Sequence, residues 1–154
     1  MIRVLTSLIV ALALSACATA TVDAQTPPVV NAPAGPVRGA TEGGINSFKG
    51  IPYALPPTGW RRWRPPAEIR RWRETRDATQ FGAACHQPVS RGTSIYAGEA
   101  PTMSEDCLFL NIWSPGDARG APVFVWIHGG SPTTGAGIEP ASDGSPPAAP
   151  GGGG

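Results

Sequence analysis

Residues 122–130, PVFVWIHGG, place five consecutive apolar side chains directly in front of a histidine and two glycines. The run is rich in β-branched and aromatic residues, which favours a strand covered on both faces, as in a parallel sheet flanked by helices. No amphipathic helix follows the run to provide that cover. The run therefore favours a sheet strand of an α/β fold, while the rest of the sequence favours mostly hairpins, sheet strands and long irregular loops.

Two further stretches predict strands. Residues 35–54 alternate between apolar and polar side chains around Glu42-Gly43-Gly44, which predicts an antiparallel hairpin. Residues 106–115 predict a mostly buried strand, because apolar side chains occupy both of its faces. Those faces are Leu108, Leu110 and Ile112 on one side and Phe109, Asn111 and Trp113 on the other. Residues 56–66 cannot be regular, since proline pairs at both ends remove backbone donors.

The first residues are typical of an export signal. Arg3 gives a cationic start, residues 4–16 form an apolar run, and small residues precede Cys17. The run is shorter than the roughly 20 residues that a membrane-spanning helix needs, but it has the length of a signal-peptide core. We therefore assign residues 1–24 to a signal peptide, in preference to a buried N-terminal helix, and expect the chain to be exported.

Two cleavage sites compete in this signal. Residues 14–17, LSAC, resemble the bacterial lipoprotein box, in which Cys17 is acylated and becomes the mature N-terminus. Residues 18–20 or 22–24 instead fit small-residue cleavage that releases a soluble protein. The expected location is accordingly the periplasm, either free or anchored to a membrane through a lipid on Cys17.

Export also bears on the remaining cysteines, Cys85 and Cys107. In an oxidising compartment two thiols pair more often than they stay free. A bridge across their 22-residue separation would stabilise the folded chain by about 3 kcal/mol on the chain-entropy account. Metal binding is the weaker alternative, because His86 and His128 do not stand at a ligand spacing. We expect neither a metal nor a cofactor.

Two segments, residues 25–34 and 131–154, are poor in residues that form a core. Residues 25–34 carry no charge and favour a linker. From residue 131 to the end there are seven Gly and five Pro, which leaves too few apolar side chains to offset the ordering entropy. We predict a folded region over residues 35–144 and a disordered tail over residues 145–154.

Several stretches resemble one family in order and spacing. FKGIPYALPPTGWRRWRPP, RDATQFGAACHQP, SEDCLFLNIWSP and PVFVWIHGG followed by TGAGIEPASDG are similar to the N-terminal part of type-B carboxylesterases. These are serine hydrolases of the α/β-hydrolase fold, and they include the cholinesterases and the bacterial para-nitrobenzyl esterases. The resemblance covers residues 35–144 and implies hydrolysis of small or medium carboxylic esters by acyl transfer to a serine, without a cofactor.

The resemblance also implies two structural pairs. The first disulfide of the family lies at the positions of Cys85 and Cys107. The family pairs the arginine of its RF motif with the glutamate of EDC, which are Arg62 and Glu105 here. This pair would hold the proline-rich loop against the sheet, whereas the alternative is two solvated charges.

The glycines after the apolar run are implied to form an oxyanion hole. In this fold, backbone N–H groups of the glycine loop stabilise the negative charge of the tetrahedral intermediate. By motif position the donors are Gly130 and Ser131, with Gly129 providing the turn and His128 orienting the loop. Two residues depart from the family: Ser131 replaces Gly or Ala, and Pro132 replaces an aromatic residue.

The nucleophile of the family does not occur in the sequence. No G-x-S-x-G pentapeptide is present, and no histidine follows His128. Without a nucleophile and a base no acyl-enzyme forms, so we expect the 154-residue chain to be inactive alone. One interpretation is a reading-frame shift near residues 142–145, and the others are a partial sequence or a genuinely short protein. A non-catalytic exported interaction module derived from an esterase is the alternative function.

A cluster of arginines and tryptophans allows a different reading. Seven of the twelve cations lie within residues 61–76, interleaved with tryptophans, and such a pattern can bind nucleic acid through charge and stacking. We predict no nucleic-acid partner, because the segment coincides with a Trp- and Pro-rich wrap of the family. The cluster consists of Arg61, Arg62, Arg64, Arg70, Arg71, Arg73 and Arg76, with Trp60, Trp63 and Trp72.

Overall fold

The computed structural model describes residues 26–89, 101–131 and 133–149. The predicted signal peptide with its alternative cleavage sites and Cys17, the proline at position 132, and residues 150–154 of the predicted tail lie outside the described residues. Within the described ranges, none of the helices combines the length and apolar content that crossing a bilayer requires.

Among the described residues, six strands form two small three-stranded sheets. The strands are β1 (Val29–Ala32), β2 (Gly35–Arg38), β3 (Ala40–Glu42), β4 (Ile45–Pro52), β5 (Arg76–Asp77) and β6 (Phe109–Pro115). In the first sheet β2 is central, antiparallel to β1 and parallel to β5. In the second sheet β4 is central and antiparallel to both β3 and β6. The predicted architecture of hairpins, strands and long loops is confirmed.

The predicted hairpin is formed by β3 and β4. Glu42 pairs with Ile45, which leaves Gly43 and Gly44 as a two-residue turn with φ of 55° and 81°. Both residues of a type I′ turn need positive φ, and glycine adopts it without a steric penalty. The prediction of a linker over residues 25–34 is wrong from Val29 onward, because this stretch pairs as β1 with β2.

A small core lies where the two sheets meet. Val37 on β2, Phe48 on β4 and Ala78 after β5 are buried, and Ile51 and Trp72 pack against them. The chain passes from β2 to β3 through Gly39 alone, where a side chain would overlap the Phe48 ring. The core is therefore short of large buried side chains, and much apolar surface stays outside it.

Two predictions of burial are wrong. Residues 121–129 form no regular element, and the side chains of the apolar run are exposed: Val123 87%, Phe124 78%, Val125 74%, Trp126 57% and Ile127 83%. The strand predicted over residues 106–115 forms as β6, but its Leu110 and Ile112 are also exposed. Apolar side chains favour burial, but burial requires another element to pack against them. The described residues contain no strand or helix that covers these side chains.

The irregular segments that proline and glycine predicted are found only in part. Residues 56–66 are irregular as predicted, apart from a 3₁₀ turn over Gly59–Arg61. The prediction of a disordered tail is wrong at its start, where Ser145–Ala148 form a single helical turn, α1, after a 3₁₀ turn over Pro140–Ser142. Gly144 packs against the Trp113 ring of β6, which holds this end of the chain to the second sheet.

Candidate functional site

The glycine loop follows the exposed apolar run and comprises residues 128–131. Gly130 has φ of 127° and Ser131 has φ of 52°, two successive positive values that are uncommon in a folded chain. A Cβ atom at Gly130 would overlap the carbonyl oxygen of Thr134. Only glycine fits this position, because its conformation and the close approach of the backbone both exclude a side chain.

The carbonyl oxygen of Gly130 closes the loop. It accepts hydrogen bonds from the N–H groups of Thr133 and Thr134, each at 3.0 Å. Among the described residues, the N–H groups of Gly130 and Ser131 donate no backbone hydrogen bond. The turn thus uses its carbonyl oxygen within the loop, while these two adjacent N–H groups take no part in its hydrogen bonds.

His128 is placed beside this turn. Its Nδ1 lies 2.9 Å from the carbonyl oxygen of Gly129, a distance at which the tautomer with a proton on Nδ1 donates a hydrogen bond. Gly135, with φ of 104°, lies against His128 and Gly129, since a Cβ atom there would collide with both. His128 and Gly135 therefore both lie beside the carbonyl oxygen of Gly129.

Two side chains that the sequence reasoning did not identify as functional anchor the loop. Gln87 hydrogen-bonds both the N–H and the carbonyl oxygen of Gly135. Asn111 donates to the carbonyl oxygen of Gly137 at 2.9 Å. A signal existed for Asn111, because it is the single polar residue within the otherwise apolar stretch LFLNIW. For Gln87 no local pattern gives such a signal.

A disulfide and an ion pair link the segment before β6 to two other parts of the chain. Cys85 and Cys107 are bonded, with their Cα atoms 5.0 Å apart, as the cysteine count and the resemblance predicted. Arg62 Nε and Nη2 donate to the two carboxylate oxygens of Glu105, each at 2.5 Å. These are the partners implied by the resemblance, and they tie residues 56–66 to the segment before β6.

The ion pair shifts the pKa values of both partners. The hydrogen bond and the charge of Glu105 raise the pKa of Arg62 above its ordinary value. The hydrogen bonds from Arg62 lower the pKa of Glu105. Both side chains stay well exposed, at 52% and 40%, so that solvent screens their attraction and the pair contributes orientation more than stability.

The arginine and tryptophan cluster does not act as one unit. Arg76 stacks on Trp72, 4.5 Å from its ring, and the Trp72 indole donates to the carbonyl oxygen of Pro36. Arg61 and Arg64 lie over Trp60, and Arg62 is engaged with Glu105. Trp63 is fully exposed, with φ of 58°. The contacts of Trp72 and Arg76 are structural, since they hold the loop after residue 66 against β2.

The described residues offer no metal centre. Within residues 26–89, 101–131 and 133–149, no three His, Cys, Asp or Glu side chains converge in a way that could hold a metal ion. The polar chemistry of the candidate site accordingly consists of backbone N–H groups, one imidazole and two side-chain amides.

Comparisons with known proteins agree with this geometry. Residues 26–146 match the carboxylesterase family. The para-nitrobenzyl esterase of Bacillus subtilis is 45% identical over 124 residues, which are 80% of this chain and 25% of that protein. The phenmedipham hydrolase of Pseudarthrobacter oxydans is 43% identical over 118 residues, 75% of this chain and 24% of that protein.

Solved structures give the same result. A PNB esterase superimposes with a TM-score of 0.74 at 44% identity, over 80% of this chain and 26% of that chain. A thermophilic PNB esterase superimposes with a TM-score of 0.71 at 44% identity, over 78% of this chain and 25% of that chain. The chain spans about a quarter of the length of the relatives it matches.

Proposed function

The chain belongs to the carboxylesterase family, and from that premise we propose that it forms the oxyanion-hole part of a serine carboxylic-ester hydrolase. The observation that carries the proposal is the pair of adjacent N–H groups at Gly130 and Ser131, which donate no backbone hydrogen bond within the described part of the chain. Donors held rigidly where negative charge develops stabilise the transition state more than the ground state. Each such donor contributes about 3 kcal/mol to catalysis.

The roles within the loop follow from its geometry. Gly129 and Gly130 make the turn, and Gly130 and Ser131 both have positive φ; we propose that their N–H groups converge on one anion. His128 orients Gly129 through its Nδ1 contact and does not act as the general base. The nucleophilic serine and its histidine are absent from the 154 residues, so ester hydrolysis requires a polypeptide that supplies both.

The proposed substrates are small or medium carboxylic esters. The relatives include proteins named para-nitrobenzyl esterase, phenmedipham hydrolase and fumonisin B1 esterase, which differ widely in the compound they are named for. The substrate class is therefore proposed at the level of the ester bond, and no cofactor or metal is part of the proposal.

A chimera tests the proposal. Residues 26–146 replace the matching N-terminal quarter of the Bacillus subtilis para-nitrobenzyl esterase; we call the product the esterase chimera. Hydrolysis of a para-nitrobenzyl ester is expected, together with labelling of the serine of the esterase by an organophosphate. The isolated 154-residue chain should show neither activity nor labelling, and labelling of any of its own serines would contradict the proposal.

Two glycine variants test whether the glycine loop contributes to the activity of the esterase chimera. Gly130→Ala keeps the N–H but places a Cβ atom against the carbonyl oxygen of Thr134, so the loop must move. In the esterase chimera this should lower kcat by up to about 10²–10³-fold, the loss typical of a missing oxyanion donor. Gly120→Ala is the control, because Gly120 also has positive φ, at 60°, but open space around its Cα. A folded chimera in which both variants keep full activity would refute the assignment of the loop.

A second candidate function is a non-catalytic interaction module. The observation that favours it is the exposed apolar run, Val123–Ile127, whose side chains are 57–87% exposed; such a patch is typical of a binding surface. A cooperative unfolding transition of the isolated chain, with no gain of activity in the esterase chimera, would favour the module over the esterase.

Export is proposed together with either function. The cationic start, the apolar run of residues 4–16 and Cys17 support a lipoprotein signal or a cleaved signal peptide. Mass spectrometry of the mature N-terminus distinguishes the two, because a lipid on Cys17 and a free residue 21 or 25 differ in mass. A mature chain that retains Met1 would contradict export by this route.

A further inference from the structure

Gln87 binds Gly135 at two points. Its Oε1 accepts a hydrogen bond from the N–H of Gly135 at 2.5 Å, and its Nε2 donates to the carbonyl oxygen of Gly135 at 3.1 Å. The same Nε2 also lies 3.3 Å from the carbonyl oxygen of Cys85. A primary amide carries one acceptor and two donors, so one side chain satisfies both backbone groups of Gly135, as a paired strand would.

Gly135 in turn supports the glycine loop. It lies against the carbonyl oxygen of Gly129 and the imidazole of His128, with no room for a Cβ atom between them. Thr134, the preceding residue, donates its N–H to the carbonyl oxygen of Gly130. A displacement of Gly135 therefore moves the contacts that shape the turn at Gly129 and Gly130.

The disulfide holds Gln87 in place. Gln87 lies two residues after Cys85, and Cys107, the partner of Cys85, lies two residues before β6. The segment is also paired at Ala84, which exchanges backbone hydrogen bonds with Thr102 and Ser104. Gln87 thus projects from a covalently anchored segment, whereas residues 121–129 have no strand partner among the described residues.

From these contacts we propose that Gln87 is a positioning residue of the oxyanion loop, which couples the Cys85–Cys107 disulfide to the orientation of the N–H groups of Gly130 and Ser131. Gln87 contacts no reacting atom and acts through Gly135. The effect of Gln87 on catalysis rests on the proposed function of the loop. The effect of Gln87 on the structure of the loop does not rest on that function, and it is measured separately.

The first experiment uses the 154-residue chain and needs no activity. Amide hydrogen exchange and NMR resonances of Gly130, Ser131 and Gly135 are compared between the wild type and Gln87→Ala. We expect exchange at the Gly135 amide to rise by at least about tenfold, and the resonances of Gly130 and Ser131 to shift or broaden. Gln80→Ala, at an exposed glutamine on the same connection, is the control and should change none of them.

A conservative variant separates positioning from a loss of packing. In Gln87→Glu the protonated carboxyl can accept from the N–H of Gly135 and donate to its carbonyl oxygen, as the amide does, whereas the carboxylate can only accept. The carbonyl ¹³C shift of Gly135 should then titrate with the introduced carboxyl and return toward the wild-type value in acid. A shift that does not depend on pH would overturn the two-point contact.

Reduction of the disulfide tests the coupling. The amide of Lys49, bonded to the carbonyl oxygen of Ala78, reports unfolding of the sheets. Dithiothreitol should raise exchange at Gly135 more than at Lys49 in the wild type, and equally at both in Gln87→Ala; an equal rise at both amides in the wild type would contradict the coupling. If Gly135 stays equally protected after reduction, the coupling to the disulfide is wrong. If Gln87→Ala leaves the resonances of Gly130 and Ser131 unchanged, Gln87 does not position the loop.

The esterase chimera supplies the catalytic test. Gln87→Ala should lower kcat by about tenfold or more while KM changes less than about twofold, because donors used in the transition state are displaced and substrate contacts are not. An active chimera with unchanged kcat would refute the positioning role and leave the proposed function intact. A folded but inactive chimera would refute the proposed function, while the exchange and titration results would still decide the role of Gln87.

Discussion

Asn111 joins its strand to the turn beyond the glycine loop by donating a hydrogen bond to the carbonyl oxygen of Gly137 at 2.9 Å. Its Oδ1 accepts from the N–H of Gly50 at the same distance. Gly50 lies in the irregular part of β4, where the register with β6 shifts between Phe48 and Ile51. One amide therefore satisfies a backbone donor that the shifted ladder leaves unpaired and a backbone acceptor of the turn.

Removal of this amide should destabilise the chain. Asn111→Ala leaves the N–H of Gly50 and the carbonyl oxygen of Gly137 without a partner in a half-buried site, and we expect a loss of about 1–2 kcal/mol in the free energy of unfolding. Urea unfolding followed by tryptophan fluorescence measures it. Asn31→Ala, on the exposed edge strand β1, should change the midpoint little, and equal effects of the two variants would contradict the bridging role.

The disulfide should account for a large share of the stability. Cys85→Ser combined with Cys107→Ser opens the loop closed by this bond, and the chain-entropy account predicts a loss of about 3 kcal/mol. So large a loss is comparable to the whole stability of a fold with a small core. The urea midpoint should therefore fall sharply or the cooperative transition should disappear. Cys17→Ser is the matched control and should leave the midpoint unchanged.

Acid should weaken the contact between the proline-rich loop and the segment before β6. Arg62 lowers the pKa of Glu105 below its ordinary value of 4.5, so the folded state binds this proton less readily than the unfolded state. The contribution of the pair is present above pH 4.5 and is lost as the pH falls through the lowered pKa of the folded state. Unfolding midpoints should thus decline on acidification from about pH 5 to pH 3.

Two variants isolate the contribution of Glu105 to this decline. Glu105→Gln cannot ionise, and its midpoint should be less sensitive to pH over that range. Asp77 provides a second acid-sensitive contribution of the same sign, since hydrogen bonds from Thr79 and Arg38 lower its pKa. The decline should therefore be smaller in Glu105→Gln but not abolished. A pH dependence identical to that of the wild type would show that the ion pair does not form in solution.

The exposed apolar run should be a preferred site of proteolysis. Chymotrypsin cleaves extended, accessible chain after aromatic residues, and Phe124 and Trp126 lie in a segment without regular structure, at 78% and 57% exposure. Limited digestion followed by mass spectrometry should find early cuts there and at the exposed Trp60. Phe48, at 5% exposure within β4, is the internal control. Cleavage after Phe48 as early as after Phe124 would indicate that the sheets are not formed.

Local chemistry made part of this structure predictable. The turn at Gly43 and Gly44 follows from residues adjacent in sequence, because positive φ at two successive positions requires such residues and sets the register of the flanking strands. Proline pairs determined the irregular loop over residues 56–66 in the same way. The family motifs predicted the bond between Cys85 and Cys107 and the partner of Arg62, together with the position of the glycine loop.

Contacts between distant residues required the tertiary structure. Gln87 meets Gly135 across 48 residues, and Asn111 meets Gly137 across 26. Asn111 stands out as the single polar residue of LFLNIW, but no local pattern identifies its partner or marks Gln87. The apolar run at Val123–Ile127 was predicted as a buried strand from its side chains, yet it is exposed. Alternation and hydrophobicity are properties of the chain itself, whereas burial depends on which other elements lie alongside it. The sequence alone therefore determined the turns and the presence of the glycine loop, and only the tertiary structure decided which side chains hold that loop and which apolar residues remain uncovered.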